Sequence, residues 1–133
     1  MFLILKYNIR MTITAKPASA RQKEIVHQYE AELDKHMLEL KAGGVEVMLE
    51  ISDFARILHI HPVHLSNTVK EVTGRSSCDL FEERLVILSK EMLTNTTLSV
   101  AEIARQLTYD PSNFTKFFKK FVKMTPKAYR DSL

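Results

Sequence analysis

The chain repeats itself. Residues 49–76 laid over residues 98–125, a shift of 49 positions, follow one pattern. Asp53 falls on Glu102, Ala55 on Ala104, Arg56 on Arg105 and Leu58 on Leu107. Pro62 falls on Pro111, Leu65 on Phe114, Ser66 on Thr115, Val69 on Phe118 and Lys70 on Lys119. Each copy reads as a short helix, a tight turn and a second helix opened by proline, whose missing N–H would have been unpaired at that position anyway. That is a helix-turn-helix written twice. The fold it predicts is all-α: two helix-turn-helix lobes of the homeodomain-like kind joined by a long connecting helix.

Local signals divide the chain. Residues 1–18 are an N-terminal extension, 19–75 a first lobe with a long leading helix, 76–95 the connecting helix and 96–133 the second lobe. In the leading helix, Ser19 and Gln22 have capping-box spacing, and Gly43-Gly44 ends the run. Ile25, Val26, Tyr29, Leu33, Met37 and Leu40 form one apolar stripe. The stripe is expected to cover the first lobe; a dimer contact by its overhanging part is the sharper alternative. Ser76 or Ser77 caps the connecting helix, which is about 27 Å long at 1.5 Å per residue. Two lobes joined this way can set their second helices about 34 Å apart, one turn of B-DNA. In the second lobe Ser99 and Glu102 form a capping box, Asp110 caps the next helix, and Phe114, Phe117, Phe118 and Phe121 are expected in the core. Thr125-Pro126 opens a last short helix carrying Tyr129 and Arg130.

Residues 1–18 differ from the rest. Leu3, Leu5, Tyr7, Ile9, Met11 and Ile13 alternate with mostly polar neighbours, a strand-like period with no sheet to join. The segment is read as strand-like or disordered, or as preceding a start at Met11. It also offers a surface through which two copies could pair as a homodimer. About 45 residues precede the first repeat, too few for a separate effector-binding core.

Composition removes several classes. The longest wholly apolar run, residues 1–5, is too short to span a bilayer and lacks the features of a secretory signal, so the expected location is cytoplasmic with no membrane partner. Cys78 is the single cysteine, which excludes an internal disulfide and fits a reducing compartment. It is read as a packing residue rather than a redox sensor. No glycine-rich phosphate loop, nucleophile elbow or paired Cys-x-x-Cys occurs, so no enzyme and no cofactor are expected. His59, His61 and His64 have a spacing that could converge on zinc. His61 fits the helix cap and His64 a solvent or phosphate contact, and no nearby Cys or carboxylate completes the set, so no metal is assigned.

Charge is unevenly placed. The chain carries +3, but residues 108–133 hold six bases against two acids, and residues 20–58 five bases against eight acids. A basic end on a chain otherwise near neutral suits a polyanion. Helix spacing then selects the face that would meet it. Val63, Ser66, Asn67 and Lys70 lie opposite Leu65 and Val69; Ser112, Thr115, Lys116 and Lys119 occupy the matching face. Asn bonds adenine at two points, Lys reaches guanine, Ser and Thr bond either, and Val packs on a thymine methyl. Lys70, Lys119, Lys120, Lys123, Lys127 and Arg130 are placed as phosphate contacts. The competing readings are a helical protein-interaction module, with the repeats as scaffold, and a metal-binding regulator using the His59, His61 and His64 cluster.

Over residues 47–130 the chain resembles the DNA-binding domain of AraC/XylS-type transcription regulators. The resemblance is densest in Leu98-Ser-Val-Ala-Glu-Ile-Ala104, Asn113-Phe-Thr-Lys-Phe-Phe-Lys-Lys-Phe121 and Pro126-Lys-Ala-Tyr-Arg130. It implies an all-helical fold, promoter DNA as partner, and activation of transcription through contact with RNA polymerase. The family's base-reading positions fall on Val63, Ser66 and Asn67 in the first lobe and on Ser112, Asn113, Thr115 and Lys116 in the second. This chain departs from the family at Thr108-Tyr109, commonly Gly-Phe, and at Lys123, commonly Gly. A lysine in left-handed backbone costs about 1 kcal/mol over glycine. The first reading helix has Lys70 as its one strong cation, so the second lobe is expected to dominate affinity and the first to contribute discrimination.

Overall fold

A computed structural model describes residues 17–133, so the strand-like reading of residues 1–16 and the pairing assigned to that segment lie outside the described residues. Those residues form seven helices and no strand: α1 Ala20–Ala42, α2 Ile51–Ile57, α3 Pro62–Thr73, α4 Ser77–Asn95, α5 Val100–Gln106, α6 Pro111–Val122 and α7 Pro126–Asp131. None of these helices is long and apolar enough to cross a membrane.

The helix starts follow their caps. Ser19 Oγ accepts from the Gln22 N–H at 3.1 Å while Gln22 Oε1 accepts from the Ser19 N–H at 2.9 Å. Ser76 caps α4, and Ser99 with Glu102 closes the predicted box on α5. At α2 the cap is one-sided: Asp53 accepts from the Glu50 N–H at 2.8 Å, which serves where Glu50 is a poor cap.

Two cores result. Ile25, Val26, Tyr29 and Leu33 of α1 close with Phe54, Ala55, Leu65, Val69 and Leu80. Met37 and Leu40, one to two turns further along the same helix, close instead with Leu85, Leu88, Met92, Leu93, Ile103, Ala104, Leu107, Phe114 and Phe118. This corrects the expectation that the stripe covers the first lobe. Helix α1 spans both, and its far end is covered by the second lobe rather than left for a dimer partner. The stripe is continuous because one helix feeds two adjoining cores. Gln106 on α5 donates to the Lys41 carbonyl at 2.7 Å and so caps the end of α1 from the second lobe.

Helices α1 and α4 form a paired spine. The Tyr29 hydroxyl donates to the Ser77 carbonyl at 3.0 Å, and burial pushes this phenol up to about 12. Arg84 reaches Asp34 at 2.7 Å and Glu30 at 3.6 Å, and Lys41 pairs with Glu91. At their junction lies His36, 2% exposed, edge-on to Phe54, with Nε2 accepting from the Leu49 N–H at 3.2 Å. Its Nδ1 has no partner among the described residues, and burial holds the imidazole below its ordinary pKa despite Glu39 and Asp53.

The second core is smaller than expected by one ring. Phe114 and Phe118 are fully buried, but Phe117 is half-buried against Tyr109 and Phe121 is 40% exposed. Phe121 sits in the last turn of α6, where it lines an open groove with Val86 and Ile87 instead of entering the core.

Candidate nucleic-acid interface

The 49-residue shift holds atom by atom in the two turns. His59 and Thr108 both take positive φ, at 58° and 66°. The Ile60 N–H donates to the Ala55 carbonyl at 3.0 Å, and the Tyr109 N–H to the Ala104 carbonyl at 2.8 Å. His61 Nδ1 then accepts from the Val63 N–H at 3.1 Å, and Asp110 Oδ2 from the Ser112 N–H at 3.2 Å. At the far ends Gly74 and Lys123 close α3 and α6 in left-handed backbone, at 74° and 68°. The departures from glycine at Thr108 and Lys123 have therefore not rearranged either turn. They are held in the conformation glycine would take, at a cost of about 1 kcal/mol each.

With the backbones matched, the outward faces match. On α3, Leu65, Thr68 and Val69 are buried; Val63 is 59% exposed, Asn67 and Lys70 are exposed and Ser66 is half-buried. On α6, Phe114 and Phe118 are buried; Ser112, Asn113, Lys116 and Lys119 are exposed and Thr115 is half-buried. Each set of predicted base-reading residues thus occupies one side of its helix, away from the core.

Hydrogen bonding narrows what the second set can offer. The Ser112 hydroxyl donates to the Asp110 carboxylate, and the Thr115 hydroxyl donates to the Pro111 carbonyl at 3.1 Å. Both then present lone pairs outward, leaving the Asn113 amide and the Lys116 ammonium as donors. The Ser112 hydroxyl is the largest influence holding the Asp110 carboxyl below the usual carboxylate range; desolvation opposes it, and the N–H groups of Asn113 and Ser112 and the Lys116 charge add to the lowering.

The six cations assigned to phosphates do not form one set. Lys70 Nζ donates to the Gly74 carbonyl at 3.0 Å, at the end of its own helix. Lys119, Lys120 and Lys123 are exposed on or just past α6, with Lys120 Nζ 5.2 Å from the Phe121 ring centroid. Lys127 pairs with Asp131 at 2.8 Å, which raises its pKa. Arg130 is a correction. Its guanidinium donates to the carbonyls of Leu93 at 3.0 Å, Leu98 at 2.6 Å and Thr96 at 3.4 Å. Helix α4 ends without a glycine or a basic residue in its last turn, so its terminal carbonyls need a donor from elsewhere. Arg130 supplies it, and its fork is committed inside the protein.

The remaining candidates separate. The three histidines take three places: His59 in the turn, His61 at the cap and His64 exposed on α3. No group of three or more His, Cys, Asp or Glu side chains among the described residues could hold a metal ion. The Cys78 thiol donates to Glu82 at 3.0 Å; that bond, then burial, pushes it up to about 11, opposite to the activation a redox or nucleophilic role needs. Sequence reasoning passed over His36 and Gln106, whose roles depend on contacts between lobes that no local pattern carries. It also left His64 off the base-reading set, although the repeat puts His64 on Asn113.

Two proline-opened helices, each following the same tight turn, define a tandem helix-turn-helix protein. Residues 54–132 match the helix-turn-helix domain family, and the chain belongs to its AraC-type branch of DNA-binding transcription regulators. It is similar to the uncharacterized HTH-type transcriptional regulator YfiF of Bacillus subtilis, 27% identical over 110 residues, covering 83% of this chain and 35% of that protein. Among solved structures it resembles the C-terminal domain of AraT, a response regulator from Geobacillus stearothermophilus, at TM-score 0.72 and 27% identity, covering 89% of each chain. It also resembles a transcriptional regulator with an AraC-type DNA-binding domain from Chromobacterium violaceum, at TM-score 0.69 and 15% identity, covering 86% of this chain and 96% of that one. The chain spans about a third of YfiF's length.

Proposed function

We propose that α3 and α6 enter successive major grooves of one promoter duplex and read two short blocks about one helical turn apart. Val63, Ser66 and Asn67 meet base edges in one block, and Ser112, Asn113, Thr115 and Lys116 in the other. Lys70, Lys119, Lys120 and Lys123 hold the phosphates, and Lys127 does so at the expense of its pairing with Asp131. The observation that carries this reading is the matched backbone of the two turns on a shared spine: both cores are tied to α1 and α4, which supports a fixed separation of the reading helices. Activation through RNA polymerase is the direction of regulation that the family resemblance gives. It is tested by placing the bound site upstream of a promoter and measuring transcript with and without the protein.

The test of the binding mode is selection of bound duplexes from a random pool. Two preferred blocks centred about 10 bp apart are expected. A single block, or retention that is insensitive to salt, would overturn the reading.

A further inference from the structure

The internal repeat assigns one residue of the reading surface that the family positions leave out. Asn113 is the third residue of α6, counted from Pro111, and His64 is the third residue of α3, counted from Pro62. The caps, the turns and the helix closures around them superpose at the same 49-residue shift, so both side chains leave the first turn of their helices in the same direction. That turn is the part of a recognition helix that meets base edges.

The other two histidines are accounted for by the turn. His59 sits at its positive-φ residue, and His61 spends Nδ1 on the Val63 N–H. His64 serves neither purpose. Its imidazole is exposed beside Val63 and Asn67, with no hydrogen bond to another described residue.

Resting on the two-groove reading, we infer that His64 is a specificity residue of the first lobe that selects a purine on one strand at one base pair of its block. The chemistry follows from the edges. An imidazole presents one N–H donor in its neutral form, and both purines present N7 as an acceptor in the major groove, where pyrimidines present none at that position. The first lobe then reads with four side chains, as the second does, and its shortage of cations is consistent with a lobe that discriminates more than it anchors.

The test uses the full chain and the duplex obtained by random-pool selection. His64→Ala is compared with wild type on that duplex and on duplexes carrying each single base-pair change in the first block, from low to high salt. At one position the wild type prefers purine over pyrimidine by about 5- to 100-fold, and the variant loses that preference while keeping its preferences elsewhere. His64→Gln, which keeps a donor, retains part of it. A urea midpoint unchanged in both variants shows that the fold is intact, as an exposed side chain requires. Uniform weakening on every duplex with a shallower salt dependence would make His64 a phosphate contact and overturn the assignment. Unchanged preferences would overturn it too. If the wild type selects only one block, and Lys116→Ala alters that block, the two-groove reading itself has failed. Two selected blocks with no effect of His64→Ala would leave that reading standing and remove this inference alone.

Discussion

Arg130 separates two accounts of the basic C-terminal end. As a phosphate contact it would add to DNA affinity and nothing to folding. In the structure its guanidinium bridges α7 to three carbonyls at and beyond the end of α4. A hydrogen bond to a charged group contributes about 1.5–3 kcal/mol, so three would sum to well above 4. That figure is an upper bound, because the side chain is half-exposed, water can hydrate the freed carbonyls, and the 3.4 Å contact to Thr96 is weak. Arg130→Ala should therefore destabilise the chain by about 2–3 kcal/mol, a large share of the 5–15 typical of a domain. The corresponding fall in Tm is about 6–15 °C for a protein of this size. Arg130→Lys keeps one donor and should recover less than half, because an ammonium cannot match the fork. Urea unfolding gives the stability. Titration of a duplex across salt, well below the variant's Tm, gives the number of phosphates contacted, and its slope should not change. An unaltered urea midpoint together with a slope shallower by about one would refute the reasoning and return Arg130 to the DNA.

Other outcomes follow from the same structure. Thr108→Gly and Lys123→Gly relieve positive-φ backbone at 66° and 68° and should each stabilise by about 1 kcal/mol in urea unfolding, the β-branched threonine gaining at least as much as the lysine. His36 is kept neutral by burial, so on acidification the unfolded chain takes up its proton first. Stability should be fully present above the unfolded imidazole value of about 6.5, decline as pH falls through it, and level off below the lower folded value, and His36→Gln should flatten that segment of the curve. Lys116→Ala should reduce the salt slope of DNA binding more than Asn67→Ala does, while Asn67→Ala should cost more on the selected duplex than on random DNA.

The repeat made most of the fold legible. Prolines at 62 and 111 remove a backbone donor that would have gone unpaired, and Ser at 19, 76 and 99 and Asp110 each accept from a local one, so helix starts could be read without tertiary information. The division of the α1 stripe between two cores could not. Periodicity shows that Leu33 and Met37 share a face, but which partner covers each depends on how α4 lays the lobes side by side. Arg130 was misread for a related reason. An arginine near four exposed lysines looks like one more phosphate contact, and the signal for its real position lay elsewhere, in the end of α4, which has neither a glycine nor a basic residue in its last turn. The outward faces of α3 and α6 were legible because the same spacing that buries Leu65 and Phe114 turns Asn67 and Lys116 away. The commitment of the Ser112 and Thr115 hydroxyls to Asp110 and Pro111 required the structure, since each has several acceptors within reach in sequence.

The central claim is that α1 and α4 fix the separation of the two reading helices. It is tested most directly by moving the two selected blocks apart, with insertions of about half a turn and about one full turn of duplex. A rigid pair cannot follow either change, so both duplexes should bind no better than one carrying a single block. Affinity retained on the full-turn insertion, where the two grooves again face the same side, would show that the lobes are free to move relative to each other and would contradict the account.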